Sequence, residues 1–196
     1  MEQMKFSVFC SGRSIDSLTD KDVELIKKVS TTVFLNYAPS RFDEQQIDFL
    51  FWRDKEVTAW LKKQYAGVMP KYKLVTMEQG LRGHEDFKEN VTIHENKKKD
   101  LNYSITCVLD MLFSLYPDCT VYLFGHDMDM KDEYVAWYDE FIDKPDNGNR
   151  WNTKNALPQQ LEMFSGYRIY NCNPKTRCIV FPKVDFFNHI GVDYVR

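Results

Sequence analysis

Two carboxylates one residue apart, Asp127 and Asp129, follow the apolar run Val121-Tyr-Leu-Phe124 and the pair Gly125-His126. Side chains so placed can hold a divalent ion, Mg or Mn, against a nucleotide diphosphate. They can equally act as a base or accept hydrogen bonds from sugar hydroxyls, and a solvated acidic loop has the same sequence. His126 adds an imidazole that titrates near neutrality and so can take up a proton. Other polar groups also stand directly after apolar runs. Ser11-Gly-Arg-Ser14 follows Phe6-Ser-Val-Phe-Cys10. A glycine there permits a sharp turn, amides and hydroxyls can meet phosphate oxygens, and Arg13 suits a diphosphate or a carboxylate. Asn36 can donate to and accept from a base or ribose, or simply form a turn. Arg53-Asp54 fits a loop-closing ion pair as well as a ligand contact. Asn173-Pro-Lys-Thr176 closes the series.

The apolar runs that carry these residues read as strands: Phe6–Cys10, Thr32–Asn36, Asp48–Trp52, Tyr72–Thr76, Thr120–Phe124 and Arg168–Cys172. Helical spacing separates them. Asp20 is placed to cap a helix with Val23, Ile26 and Val29 on one face. Val57, Trp60 and Leu61 mark a second helix. Leu101, Ile105, Val108, Leu109 and Leu112 form the clearest apolar stripe. Glu133–Ile142 and the segment around Leu157, Leu161 and Phe164 complete the set, with Gly166 as a C-cap. Gly80–Asp100 reads as mostly loop. The expectation is one α/β domain over residues 1–196: a mostly parallel, twisted, Rossmann-like sheet with helices on both faces. Ligands of such sheets bind beyond the carboxyl ends of the strands. The polar residues at the strand ends should therefore converge there, with 80–100 and 143–155 as loops around the site.

A content of 43% hydrophobic and 15% aromatic residues fits a packed globule rather than disorder. A net charge of −3 gives no global attraction to nucleic acid or membrane. The lysine groups at 27–28, 62–63 and 97–99 read first as solvated faces. No apolar run is long enough to cross a bilayer, and Met1–Cys10 lacks a secretory pattern, so a cytoplasmic location is expected. The five cysteines include no CxxC pair, and they read as reduced, buried thiols.

Taken together, the motifs resemble a bacterial sialyltransferase family and its DUF115-like relatives. Phe9-Cys-Ser-Gly-Arg-Ser-Ile-Asp-Ser-Leu18 is similar to the family's opening strand and loop, and Phe34-Leu-Asn36 to its second strand end. Tyr103–Met111 followed by Val121–Asp127 resembles its helix and strand ending in G-x-D. Ile169–Thr176 is similar to its late strand and loop. The resemblance implies a GT-A-like fold and transfer of a sugar from a UDP- or CMP-type nucleotide donor to an acceptor hydroxyl. By position it implies that Ser11, Gly12, Arg13 and Ser14 border the donor phosphate or sugar, and that Asn36 contacts the nucleotide. Asp127 would contact nucleotide or sugar, while Asn173 and Thr176 close the other side. Asn152 stands where the family carries a catalytic histidine. The acceptor stays open between a glycan and nucleic acid, as when viral enzymes glycosylate hydroxymethylated DNA bases. A nucleotide-dependent hydrolase and a non-catalytic nucleotide-sugar-binding protein would use the same crevice.

Overall fold

The computed structural model describes residues 3–128 and 150–192, with 150–155 described for their backbone alone. Seven strands form one sheet in which every pairing is parallel: β1 (Lys5–Phe9), β2 (Thr31–Leu35), β3 (Phe49–Trp52), β4 (Lys73–Thr76), β5 (Thr92–Ile93), β6 (Thr120–Phe124) and β7 (Ile169–Asn171). Their spatial order is β5-β4-β3-β2-β1-β6-β7. The expected α/β, Rossmann-like architecture is therefore present. The chain runs outward from β1 to one edge and then restarts on β1's other flank with β6. That reversal makes β1/β6 the topological switch point, the position beyond whose strand ends open parallel sheets bind ligands.

Alternation along each strand builds two cores, one on each face. Val8, Val33, Phe51, Val75, Val121 and Leu123 face one side, where α3 (Ser104–Leu115) and α4 (Arg150–Glu162) supply Val108, Leu109, Leu112, Leu157 and Leu161. Phe9, Phe34, Leu50, Leu74 and Phe124 face the other. There they meet Val23 and Ile26 of α1 (Asp20–Val29), Val57 and Leu61 of α2 (Lys55–Tyr65), and Phe186 of α5 (Phe186–His189). Phe9 is paired in register with Phe34 on one neighbour and Phe124 on the other. The three rings stack with centroids 4.2 and 5.1 Å apart. This aromatic ladder supports the switch point from below.

Several local expectations need correction. Thr19, not Asp20, is the N-cap of α1: its side chain accepts from the Asp22 amide at 3.2 Å while Asp22 Oδ2 accepts from the Thr19 amide at 2.8 Å. This reciprocal box satisfies two end amides, whereas Asp20 has already entered the helix. The 80–100 stretch holds two 3-10 turns, Glu78–Leu81 and Glu85–Asn90, followed by β5. β5 is only two residues long and exists through its pairing with β4. Residues 150–155 are the first turns of α4 rather than loop, and Gly166 lies past its end without a left-handed φ. Glu133–Ile142 and 143–149 lie outside the described residues. The five cysteines are all free thiols, and burial pushes the Cys119 thiol up to about 11. Among the described residues no helix is long and apolar enough to cross a membrane.

Candidate functional site at the sheet switch point

The site begins where the β1–β6 ladder outruns its strands. The Cys10 amide donates to the Phe124 carbonyl and the Gly12 amide to the Gly125 carbonyl, both at 2.7 Å. Gly125 has a φ of +66°, which its lack of a Cβ permits. The left-handed step turns the chain back over β1 and carries Asp127 to the following loop. Asp127 Oδ2 accepts from the Ser14 amide at 2.7 Å, and Oδ1 accepts from the Ser14 hydroxyl. The same Oδ1 accepts from Asn173 Nδ2 at 2.6 Å. One carboxylate thus ties together the loops after β1, β6 and β7. Charge-assisted bonds of this kind are stronger than neutral ones, so Asp127 is the main fastener of the cluster.

A second set of bonds locks the β7 side. Thr176 Oγ1 donates to the His126 carbonyl at 2.6 Å and accepts from the Cys178 amide at 3.1 Å. Asn171, fully buried, donates to the same His126 carbonyl at 2.9 Å and accepts from the Asn173 amide at 3.0 Å. The Arg177 amide donates to the Asp127 carbonyl at 2.9 Å. Asn171 was not singled out from sequence. Its position inside a strand run hid it; a fully buried asparagine is recognisable only from its partners.

Gly12, Ser14, Asp127, Asn173 and Thr176 therefore meet, with Ser11 and the exposed Arg13 in the same turn. The turn is a 3-10 segment, Arg13–Ser17. The Gly12 and Ser14 amides point inward to Gly125 and Asp127, so they are committed to the protein. Contacts to a phosphate from this turn would fall to the Ser11 hydroxyl and to Arg13, since the Ser14 hydroxyl already donates to Asp127.

Asn36 lies at the same edge of the sheet, one strand away, with φ 56°. Its Oδ1 accepts from Ser104 Oγ at 3.1 Å at the start of α3. Arg53 and Asp54 lie at the end of β3, beyond Asn36, and their charged groups are 3.7 Å apart. Asp129 lies outside the described residues, and so does the metal pairing of Asp127 with Asp129. Asn152 is on the first turn of α4. Among the described residues no three His, Cys, Asp or Glu side chains gather at metal-binding distance.

His126 is placed differently from its expected role as proton acceptor. Its imidazole is buried, and Nε2 is shielded from solvent and has no hydrogen-bond partner among the described residues. Burial lowers its pKa from the ordinary 6.5 to about 4, against the opposing pull of Asp127. The ring is thus neutral at pH 7 and closed off from an acceptor hydroxyl. In the unfolded chain it protonates near 6.5. Stability from this group is therefore complete above pH 6.5 and is lost as pH falls toward 4. The wild-type protein should lose about 2 kcal/mol more than His126→Gln between about pH 7 and pH 5. Urea denaturation of both proteins at the two pH values measures this; equal losses would exclude the buried neutral histidine.

Compared with protein-family models, curated proteins and solved structures, the chain matches none.

Proposed function

We propose that this protein is a glycosyltransferase that moves a sugar from a nucleotide-sugar donor to an acceptor hydroxyl. The observation that carries the reading is the junction at Asp127. Three loops that follow β1, β6 and β7 are bonded into one polar cluster at the switch point, where open parallel sheets bind nucleotides. The motif resemblance to the bacterial sialyltransferase and DUF115-like proteins supplies the reaction class. In that reading Ser11, Gly12, Arg13 and Ser14 border the donor phosphate, and Asn36 faces the nucleotide after exchanging its Ser104 bond for one to the ligand. Asn173 and Thr176 hold the opposite wall. Substitution at the anomeric carbon requires the departing phosphate charge to be met, a role for Arg13. It also requires the acceptor hydroxyl to lose its proton. With His126 enclosed, Asp127 is the described carboxylate nearest that task. Asp129 and a divalent ion on the acidic pair belong to the same reading, and the acceptor is a glycan or a hydroxymethylated DNA base.

One observation favours a second reading. Both oxygens of Asp127 are already engaged by Ser14 and Asn173, which suits a rigid binding site as well as a base. A non-catalytic nucleotide-sugar-binding protein would bind donor without turnover. The two are separated by thermal shift against UDP-, CMP- and GDP-sugars, with and without Mn²⁺, followed by product analysis. A donor present at about 100 times its Kd adds about 2.7 kcal/mol, roughly 5–10 °C in Tm for a chain of this size. Binding with glycosylated product supports the transferase. Binding without turnover supports the second reading, and nucleotide release without a glycosylated product indicates a hydrolase. No shift with any donor would remove the nucleotide-sugar reading altogether.

A further inference from the structure

At the end of the sheet opposite the Asp127 cluster, the amino ends of β1–β4 and the end of α1 enclose an open groove of about 760 Å³. Five lysines line it: Lys5, Lys27, Lys28, Lys71 and Lys73. Two carboxylates also line it, and both are engaged. Asp48 pairs with Lys27 at 2.7 Å and accepts from the Thr32 amide, which together hold its carboxyl below the usual range despite partial burial. Glu44 accepts from the Lys71 amide at 2.8 Å. Among the described residues, Lys27 is the only one of the five lysines with an acidic partner within ion-pair distance. In a chain of net charge −3 this is a local excess of positive charge.

We infer that this groove binds the backbone of a single-stranded nucleic acid. Lys5 on β1 and Lys73 on β4 are three strand spacings apart, roughly 14 Å. Lys28 and Lys71, both exposed, stand on the groove walls. A row of ammonium groups over that span matches two or three successive phosphates. Between them the lining is mixed: Ser30, Thr31 and Gln45 are polar, Met4 and Val29 are exposed apolar residues, and Phe49 is half-buried with the Lys73 ammonium 5.2 Å from its ring centroid. A basic track interleaved with apolar and aromatic surface is the arrangement that seats phosphates while bases lie on the lining. The recess favours a linear polymer over a membrane, which a flat or protruding basic face would meet. β1 is five residues long, so the groove lies at least roughly 17 Å from the Asp127 cluster. It is a docking surface in its own right, and it stands whether or not the transferase reading does.

The test is fluorescence anisotropy of a labelled single-stranded oligothymidylate with the full chain, across a salt series. With four lysines engaged, affinity should fall about 50-fold as salt rises from about 50 to about 200 mM. The triple variant Lys28→Glu, Lys71→Glu, Lys73→Glu changes exposed side chains and should stay folded, its melting temperature only a few degrees lower through loss of the Lys73–Phe49 contact and of a cation in the last turn of α1, while losing at least about tenfold in affinity. Absence of binding at low salt would overturn the inference. So would binding that the triple variant leaves unchanged, or binding to phosphatidylserine vesicles in place of the oligonucleotide. Donor-induced thermal shifts, measured on the same triple variant, should equal those of the wild type and report separately on the other end of the sheet.

Discussion

Gly12→Ala is expected to destabilise the protein by about 3 kcal/mol, the cost of forcing a side chain into a site closed by backbone. A Cβ on Gly12 would collide with the Gly125 carbonyl oxygen and lie 2.6 Å from both Cγ and Oδ2 of Asp127. The backbone at Gly12 is extended, φ −75° and ψ 153°, a conformation alanine adopts without strain. On conformational grounds alone the substitution would stabilise by about 0.4–1 kcal/mol through the unfolded chain. The steric term opposes this and is larger, because neither the ladder carbonyl nor the bonded carboxylate can move without breaking bonds among three loops. Chemical denaturation of Gly12→Ala beside Gly166→Ala tests the balance. Gly166 has nothing within 4 Å of its Cβ position and no left-handed φ, so its variant should be neutral or slightly stabilised. Equal stability of the two variants would contradict the close approach at the switch point.

Asp127→Asn should lower transfer at least about 100-fold if Asp127 takes the acceptor proton. It should also cost about 2 kcal/mol of stability, since one carboxylate oxygen becomes an NH₂ group facing donors. Oδ2 now receives the Ser14 amide, and Oδ1 receives the Ser14 hydroxyl and Asn173 Nδ2. Either orientation of the amide leaves at least one donor facing a donor. Ser14→Ala separates the two effects, because it removes one bond to the carboxylate while keeping the charge and the Asn173 contact. Its stability should fall by about 1 kcal/mol, with a far smaller loss of transfer than in Asp127→Asn. Measuring transfer and denaturation midpoints for both variants gives the answer. Full transfer by Asp127→Asn would eliminate Asp127 as the base, and matched losses in the two variants would make it a fastener only.

Much of this molecule was readable from local pattern. β1, β2, β3, β4, β6 and β7 lie on the expected apolar runs to within a residue at each end, since strands buried on both faces require continuous hydrophobic sequence. The stripe on α3 was equally plain. β5 was not readable, because Thr92–Ile93 has no apolar run of its own and becomes strand only by hydrogen bonding to Val75–Thr76. The true cap of α1 was missed because Thr19 and Asp20 are both cap-forming types. The choice between them rests on which side chain can meet the Asp22 amide. For His126, burial is a property of the folded chain, so neither its enclosure nor its lowered pKa was visible from Gly125-His126-Asp127.

The sequence by itself determined which residues stand at strand ends, because strand periodicity and turn chemistry act over a few neighbouring residues. It thereby placed Ser14, Asn36, Asp127 and Asn173 at one edge of one sheet. Only the tertiary structure decided who meets whom there. β1 lies between β2 and β6, so Asp127 closes on Ser14 and Asn173, while Asn36 turns instead to Ser104. That choice depends on strand order, and strand order is set by how α1, α2, α3 and α4 pack on the two sheet faces. Those contacts join segments far apart in the chain, and no short window of residues contains them.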